Sequence, residues 1–303
     1  MKVLITGGTG LIGQALLKAL HAETLVVVTR NPQLAAQQLQ YLNHGQLSFI
    51  SQLSQLSHLN DFDAVINLAG EPIADKRWSH GQKDRICQSR WQTTEQLVNL
   101  CLASQTPPHT FLSASAVGYY GDQKNHAFDE QKVVHSPDFA HQVCEQWERE
   151  ALKVHSESTR VCTLRFGIVL SPRGGALAKM LPAYRLGLGA KLGAGKQFMA
   201  WIHIQDVVNA ILFLLSHDKA TGPFNFCSPH SVTQQEFSLA LAQALHRPHL
   251  LTLPRRFMRI LMGESHCLLF DSARAKPTKL TELGFNFQYP HLSPALNNLL
   301  QKS

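Results

Sequence analysis

A chain of 303 residues, 44% of them hydrophobic, carries enough apolar material for one large core or two smaller ones without disulfide or metal staples. Lys and Arg outnumber Asp and Glu by 28 to 21, a formal net charge of +7, yet they are dispersed and form no nucleic-acid motif; the balance points to an anionic small molecule rather than nucleic acid. The six cysteines make no C-x-x-C pair, no apolar run reaches membrane-spanning length, and Met1-Lys2 runs straight into an apolar strand. A reduced, cytoplasmic protein with no zinc site, membrane span or signal peptide is the expectation.

In chain order, residues 2–6 predict a buried strand, 14–21 a helix, 24–29 a second strand, 49–50 part of a third and 63–68 a fourth. Residues 93–104 predict a helix, 110–115 a strand, 139–154 a helix and 160–166 another strand. Strand and helix in repetition predict a doubly wound parallel α/β sheet with helices on both faces. Residues 172–195 are glycine-rich; 201–204 lead into a helix over 207–215 with Asp206 as its cap, and 224–227 suit one more strand. From about 228 onward, short helices alternate with proline-bearing turns at Pro248, Pro254, Pro277 and Pro290. The expected division is a nucleotide domain over 1–228, with 172–200 contributing to a smaller C-terminal substrate lobe over 229–303.

The first strand runs into Thr6-Gly7-Gly8-Thr9-Gly10-Leu11-Ile12-Gly13 and then a helix, the context in which a glycine fingerprint cradles a dinucleotide pyrophosphate. Gly7 allows the tight turn, Gly10 the close approach of backbone amides, and Gly13 close helix–sheet packing. The helix N-terminus adds its positive dipole. After the second strand stands Val28-Thr29-Arg30-Asn31, with no acid for a ribose 2′-hydroxyl. Arg30 suits a 2′-phosphate, so the expected cofactor is NADP(H). By contrast, residues 189–196 fail as a P-loop: position 190 is Ala, and Gln197 stands where Ser or Thr is required.

The Gly7-x-x-Gly10-x-x-Gly13 spacing and Asn67-Leu68-Ala69-Gly70 resemble the extended short-chain dehydrogenase/reductase superfamily. Four further stretches resemble its atypical branch, the "epimerase family protein" or predicted nucleoside-diphosphate sugar epimerase (YfcH type). They are Ser113-Ala114-Ser115-Ala116-Val117-Gly118-Tyr119-Tyr120-Gly121, Leu164-Arg165-Phe166-Gly167-Ile168-Val169-Leu170, Trp201-Ile202-His203-Ile204-Gln205-Asp206 and Leu283-Gly284-Phe285. The resemblance spans nearly the whole chain and implies a Rossmann-like fold, with Leu68, Ala69, Gly70 and Arg90 added to the glycine turn as cofactor-binding residues. Extended members are often dimers through their long helices, which makes a homodimer the implied assembly.

Ordinary members of the superfamily carry Tyr-x-x-x-Lys on the helix that here reads Phe139-Ala140-His141-Gln142-Val143-Cys144-Glu145-Gln146-Trp147-Glu148. Ala140 takes the tyrosine's place and Cys144 the lysine's, while the superfamily's helix-borne Asn falls at Arg90. Neither Ala nor Cys can supply the usual proton transfer and ribose contact. Candidates for remaining chemistry are Ser115 at a strand end; Tyr120, or Tyr119 beside it, with its pKa lowered by a cation such as Arg90; and Cys144 as an activated thiol. Glu148 is expected to be a structural hydrogen-bonding partner. Lys76, Arg77, Lys83, Arg85 and Arg90 could hold an anionic substrate group or form a solvated face, and His203 is expected to pack. Two functions follow: an NADP(H)-dependent epimerase or oxidoreductase acting on a small anionic or nucleotide-linked molecule, or a non-catalytic NADPH-binding redox sensor or partner-binding protein.

Overall fold

The computed structural model describes residues 1–20, 23–42 and 46–301. A seven-stranded sheet is built from β1 (Lys2–Thr6), β2 (Thr24–Val28), β3 (Leu47–Ile50), β4 (Ala64–Asn67), β5 (Thr110–Ala116), β6 (Arg160–Phe166) and β7 (Gly222–Phe226). They run in the order β7-β6-β5-β4-β1-β2-β3, every neighbouring pair parallel. The chain winds outward in both directions from β1, so a crevice opens between the carboxyl ends of β1 and β4.

Strand β1 shows why both faces are covered. Val3, Leu4 and Ile5 are all fully buried, and successive side chains of a strand point to opposite faces. Val3 and Ile5 pack with Leu16 and Leu17 of α1 (Leu11–Ala19) and with Val207, Ile211 and Leu214 of a later helix; Leu4 packs with Leu97, Val98 and Cys101 on the other face. An uninterrupted apolar run is what a parallel strand buried on both sides requires.

Helix α2 (Pro32–Leu39) starts on Asn31, whose Oδ1 accepts the Leu34 amide at 3.1 Å. Helix α3 spans His80–Leu102, much longer than the expected 93–104, because its first two turns carry polar residues without apolar periodicity. Its start is set by Ser79, which accepts the Gln82 amide. Helix α1 begins at Leu11 instead of 14; the end expected for it, His21, lies outside the described residues, as do the last two positions of the expected substrate lobe.

Helices α4 (Phe139–Ala151), α5 (Gly175–Arg185) and α6 (Ile204–Leu215) follow. The cap of α6 differs from expectation. His203 Nδ1 accepts the Gln205 amide at 3.0 Å, while Asp206 lies inside the first turn, fully buried, and accepts the amides of Gln288 at 2.7 Å and Tyr289 at 3.0 Å. Asp206 therefore pins a distant loop to the start of α6, and His203 stacks on Tyr289 at 3.9 Å.

The C-terminal part holds α7 (Gln234–Ala244), α8 (Arg255–Met262), α9 (Cys267–Phe270), α10 (Thr278–Glu282) and α11 (Leu292–Gln301). Phe237 and Leu241 of α7 pack against Ala295, Leu296 and Leu299 of α11. Strand Leu251–Leu253 pairs with Ala190–Leu192, and Val232–Thr233 with Phe198–Met199, so the glycine-rich segment and the C-terminal part are knitted together. No described helix is long and apolar enough to cross a membrane.

Candidate functional site

The turn after β1 is held open by its glycines. Gly7 has a φ of +70°, and a Cβ there would lie 2.5 Å from the Leu68 carbonyl oxygen; a Cβ on Gly13 would lie 2.3 Å from the Gly7 oxygen. Gly13 thus lets α1 fold back on the turn itself. The glycine pressed against the sheet is Gly8, where a Cβ would meet Val27 Cγ1 at 2.7 Å. No side chain caps α1 and no acid stands in its first turn, leaving its N-terminal amides and dipole available to an anion.

Gly7, Gly10, Leu11, Ile12 and Gly13 line a cavity together with Leu68, Gly70 and Arg90. Thr6, Gly8, Thr9 and Ala69, expected to bind the cofactor, are not part of that lining. Thr6 Oγ1 donates to Asn67 Oδ1 at 2.7 Å and accepts the Ala69 amide at 3.3 Å, and the Thr9 carbonyl accepts Gln14 Nε2 at 2.8 Å. Asn67 Nδ2 in turn donates to Thr94 Oγ1 at 2.8 Å, which also accepts Trp147 Nε1 at 2.9 Å. This buried chain locks the β1 and β4 ends to α3 and α4. Arg30 lies exposed just past β2.

Arg90 reaches the cavity wall from α3. Its Nη1 donates to the carbonyls of Glu71 and Ile86, both at 3.0 Å, and its guanidinium lies 5.1 Å from the Trp147 ring centroid. Burial lowers its pKa, with the neighbouring Cys144, Cys87 and Glu71 opposing the shift.

Ser115, at the end of β5, is 2% exposed and lines the cavity. Its Oγ donates to Glu148 Oε1 at 2.6 Å, and Glu148 is clasped by Arg165, Nε to Oε1 at 2.8 Å and Nη2 to Oε2 at 2.7 Å. Burial opposes the charge on Arg165, but its bonds to Glu148 and the charge of that carboxylate hold the guanidinium above its ordinary pKa. Sequence reading did not single out Arg165. The available signal was a charged residue inside a strand that the sequence predicts to be buried, where a charge must be paired.

Tyr120 is fully buried and does not line the cavity. Its hydroxyl accepts from Arg165 Nη1 at 2.7 Å and donates to Asn225 Oδ1 at 2.8 Å. Burial pushes its pKa up; the cation facing it is Arg165, so the expected lowering by Arg90 does not occur. Tyr119 also stacks on Arg165, 3.6 Å from the guanidinium.

Ala140 and Cys144 do line the cavity, near Gly118, where a Cβ would meet Ala140 Cβ at 3.4 Å and Cys144 Sγ at 3.8 Å. Burial, then Glu148, pushes the Cys144 thiol up to about 11, against the pull of Arg90. This is the direction opposite to an activated thiol.

The basic cluster does not converge. Lys83 pairs with Glu264, Lys76 lies 3.9 Å from Glu71, Arg77 Nη2 donates to the Ile260 carbonyl at 3.2 Å, and Arg85 bonds Gln82. Only Arg90 of the five lines the cavity, and the others tie the segment after β4 to itself and to the C-terminal part. Among the described residues, no group of His, Cys, Asp and Glu is arranged to hold a metal.

The whole cavity measures about 1560 Å³ and extends beyond Ser115 between α5, the loop after β4 and the segment 255–270. Those C-terminal wall residues were not expected at the site, since they reach it only through chain topology.

A parallel sheet whose winding reverses at β1 and β4, with a glycine turn opening into the crevice there, defines a Rossmann-like α/β protein. The chain belongs to the NAD dependent epimerase/dehydratase family, whose model matches residues 3–227; residues 253–299 match a domain of unknown function, DUF1731. It is 38% identical over 300 residues to the epimerase family protein SH2119 of Staphylococcus haemolyticus, covering 98% of each chain. Among solved structures it superposes on human epimerase family protein SDR39U1 (isoform 2), crystallised with NADPH, with a TM-score of 0.90 and 30% identity over 100% of both chains. A nucleoside-diphosphate sugar epimerase from Corynebacterium glutamicum gives a TM-score of 0.77 at 25% identity, this chain covering 59% of that one. The resemblance to the atypical epimerase branch and the doubly wound sheet are thereby borne out.

Proposed function

We propose that this protein is an NADP(H)-binding oxidoreductase or epimerase that works on a small molecule in the outer part of the cavity, without a Tyr-x-x-x-Lys pair. The observation that carries the cofactor is the glycine cradle: Cβ atoms at Gly7 and Gly13 would collide with backbone, and the helix behind it is uncapped. Backbone amides from Gly10 to Gly13 would hold the pyrophosphate, Arg30 the 2′-phosphate, and Leu68, Gly70 and Arg90 the path toward Ser115. NADPH in the human relative supports the same choice. When bound, the cofactor would supply or accept a hydride; Ser115 would offer its oxygen lone pairs to a substrate hydroxyl while its own O–H donates to Glu148.

The enzyme reading is favoured over a pure binding module by room. At about 1560 Å³ the cavity exceeds the span of roughly 300–1,000 Å³ usual for a single ligand and accommodates cofactor and substrate together. In this reading residues 1–228 hold the cofactor, and 172–200 with 229–303 form the substrate side. Nicotinamide fluorescence titration tests the cofactor: NADPH should bind about tenfold or more tightly than NADH, and Arg30→Glu should remove that preference. Equal affinity for the two cofactors in the wild-type chain would overturn it.

A further inference from the structure

The inference concerns the outer part of the same cavity and rests on the cofactor reading above. With the glycine turn, Leu68, Gly70 and Arg90 assigned to the cofactor, the remaining wall comes from the loop 72–78, the start of α4, helix α5 and the segment 255–270. One part of it is an aromatic cluster: Trp78 meets Phe139 edge-on at 5.0 Å, with Ile73, Val143 and Leu268 packed around them. A second part carries Met180, Met199 and Phe237, and α8 adds Met258 and Met262. Unbranched methionines adapt their shape to apolar ligands and offer nothing to a charged one.

The charges of this region do not suit an anion. Lys179 is paired with Asp75 and Glu264 with Lys83. What is left on the wall is Arg259, exposed on α8, and His266, whose Nδ1 lies 2.9 Å from the Gly263 carbonyl oxygen, with two acids, Asp138 and Asp271, on the same wall. A second helix N-terminus, that of α5, also faces the cavity. Leu11 covers it, its methyls 3.3 Å from where a Cβ on Gly174 or Gly175 would stand. A diphosphate needs converging cations or free helix amides, and beyond the cofactor half this wall provides neither.

We infer that the outer half of the cavity takes an uncharged, largely apolar molecule, presenting a hydroxyl to Ser115, in place of a nucleotide-linked sugar. The protein saturated with NADPH is titrated with Nile red, an uncharged fluorescent probe, and the bound probe is then challenged with 1-decanol or with UDP-glucose. One Nile red should bind per chain; 1-decanol should displace it and UDP-glucose should not. Met180→Lys and Met262→Lys should each weaken the probe by about tenfold or more, because a charge is placed in an apolar wall, with NADPH affinity unchanged. The two substitutions lie on separate segments, so misfolding of one leaves the other to decide. Displacement by UDP-glucose, or unaltered probe affinity in the folded variants, overturns the inference. NADPH binding is read separately from nicotinamide fluorescence; its failure would undo the cofactor reading, while Nile red on the cofactor-free protein still decides the character of the wall.

Discussion

Ser115 and Arg165 stand side by side in register on β5 and β6, and one carboxylate holds both: Glu148 Oε1 accepts the serine hydroxyl at 2.6 Å and the arginine Nε at 2.8 Å. Glu148 is 6% exposed and Arg165 4%, so the pair is buried and each charge depends on the other. Glu148→Gln leaves the guanidinium without its counter-charge and should cost about 3–5 kcal/mol of stability, read from urea unfolding. A loss below about 1 kcal/mol, the range of a solvent-screened pair, would show that the carboxylate does not hold this wall together.

Tyr120→Phe should behave as a structural lesion. Without the hydroxyl, Arg165 Nη1 and Asn225 Oδ1 lose a partner each in a buried setting. A stability loss of about 1–3 kcal/mol is expected, with NADPH affinity unchanged in the fluorescence titration. Turnover abolished at unchanged stability would return the phenol to the reacting groups.

Two glycines should respond in opposite ways to alanine. At Gly13 the added Cβ would sit 2.3 Å from the Gly7 oxygen, so Gly13→Ala should cost about 1–3 kcal/mol and weaken NADPH by distorting the cradle. A Cβ at Gly81, within α3, meets nothing within 4 Å. Gly81→Ala should raise stability by up to about 1 kcal/mol. Thermal melts of the two variants beside wild type check the pair.

Asp271, at the cavity wall, is pushed from its ordinary 3.8 up to about 6, first by burial and then by Asp122 and Asp138. The folded chain therefore holds this proton more tightly than the unfolded chain. The resulting stabilisation is complete below 3.8 and is lost as pH rises through about 6. The melting temperature of wild type relative to Asp271→Asn should fall across that window. A constant difference would contradict the assignment.

The strands were the most legible part of the chain. A central parallel strand is covered on both faces, so β6 shows in the sequence as a run of mostly apolar residues over the very span the structure gives it, 160–166. The first turns of α3 were not legible, because their polar residues carry no period and the helix is started by the Ser79 side chain. At 203–206 the sequence marked Asp206 as the cap and His203 as a packing residue, whereas His203 makes the cap. Two amides 82 and 83 positions further on claimed the aspartate, a contact that no local pattern encodes.

The amino-acid sequence by itself determined the parallel α/β fold and the glycine cradle, and it put Arg30 just past β2. These are local properties: strand hydrophobicity, glycine spacing and the residue following a strand act within a few positions of themselves. Tertiary structure decided what surrounds the cradle. It placed Tyr120 out of the cavity against Asn225, closed Ser115 onto Glu148 and Arg165, spread the basic cluster among separate partners, and brought Met258 and Met262 to the wall. Each outcome depends on contacts between distant segments, where burial forces every polar group to find a partner, and only the folded chain determines which partner is near.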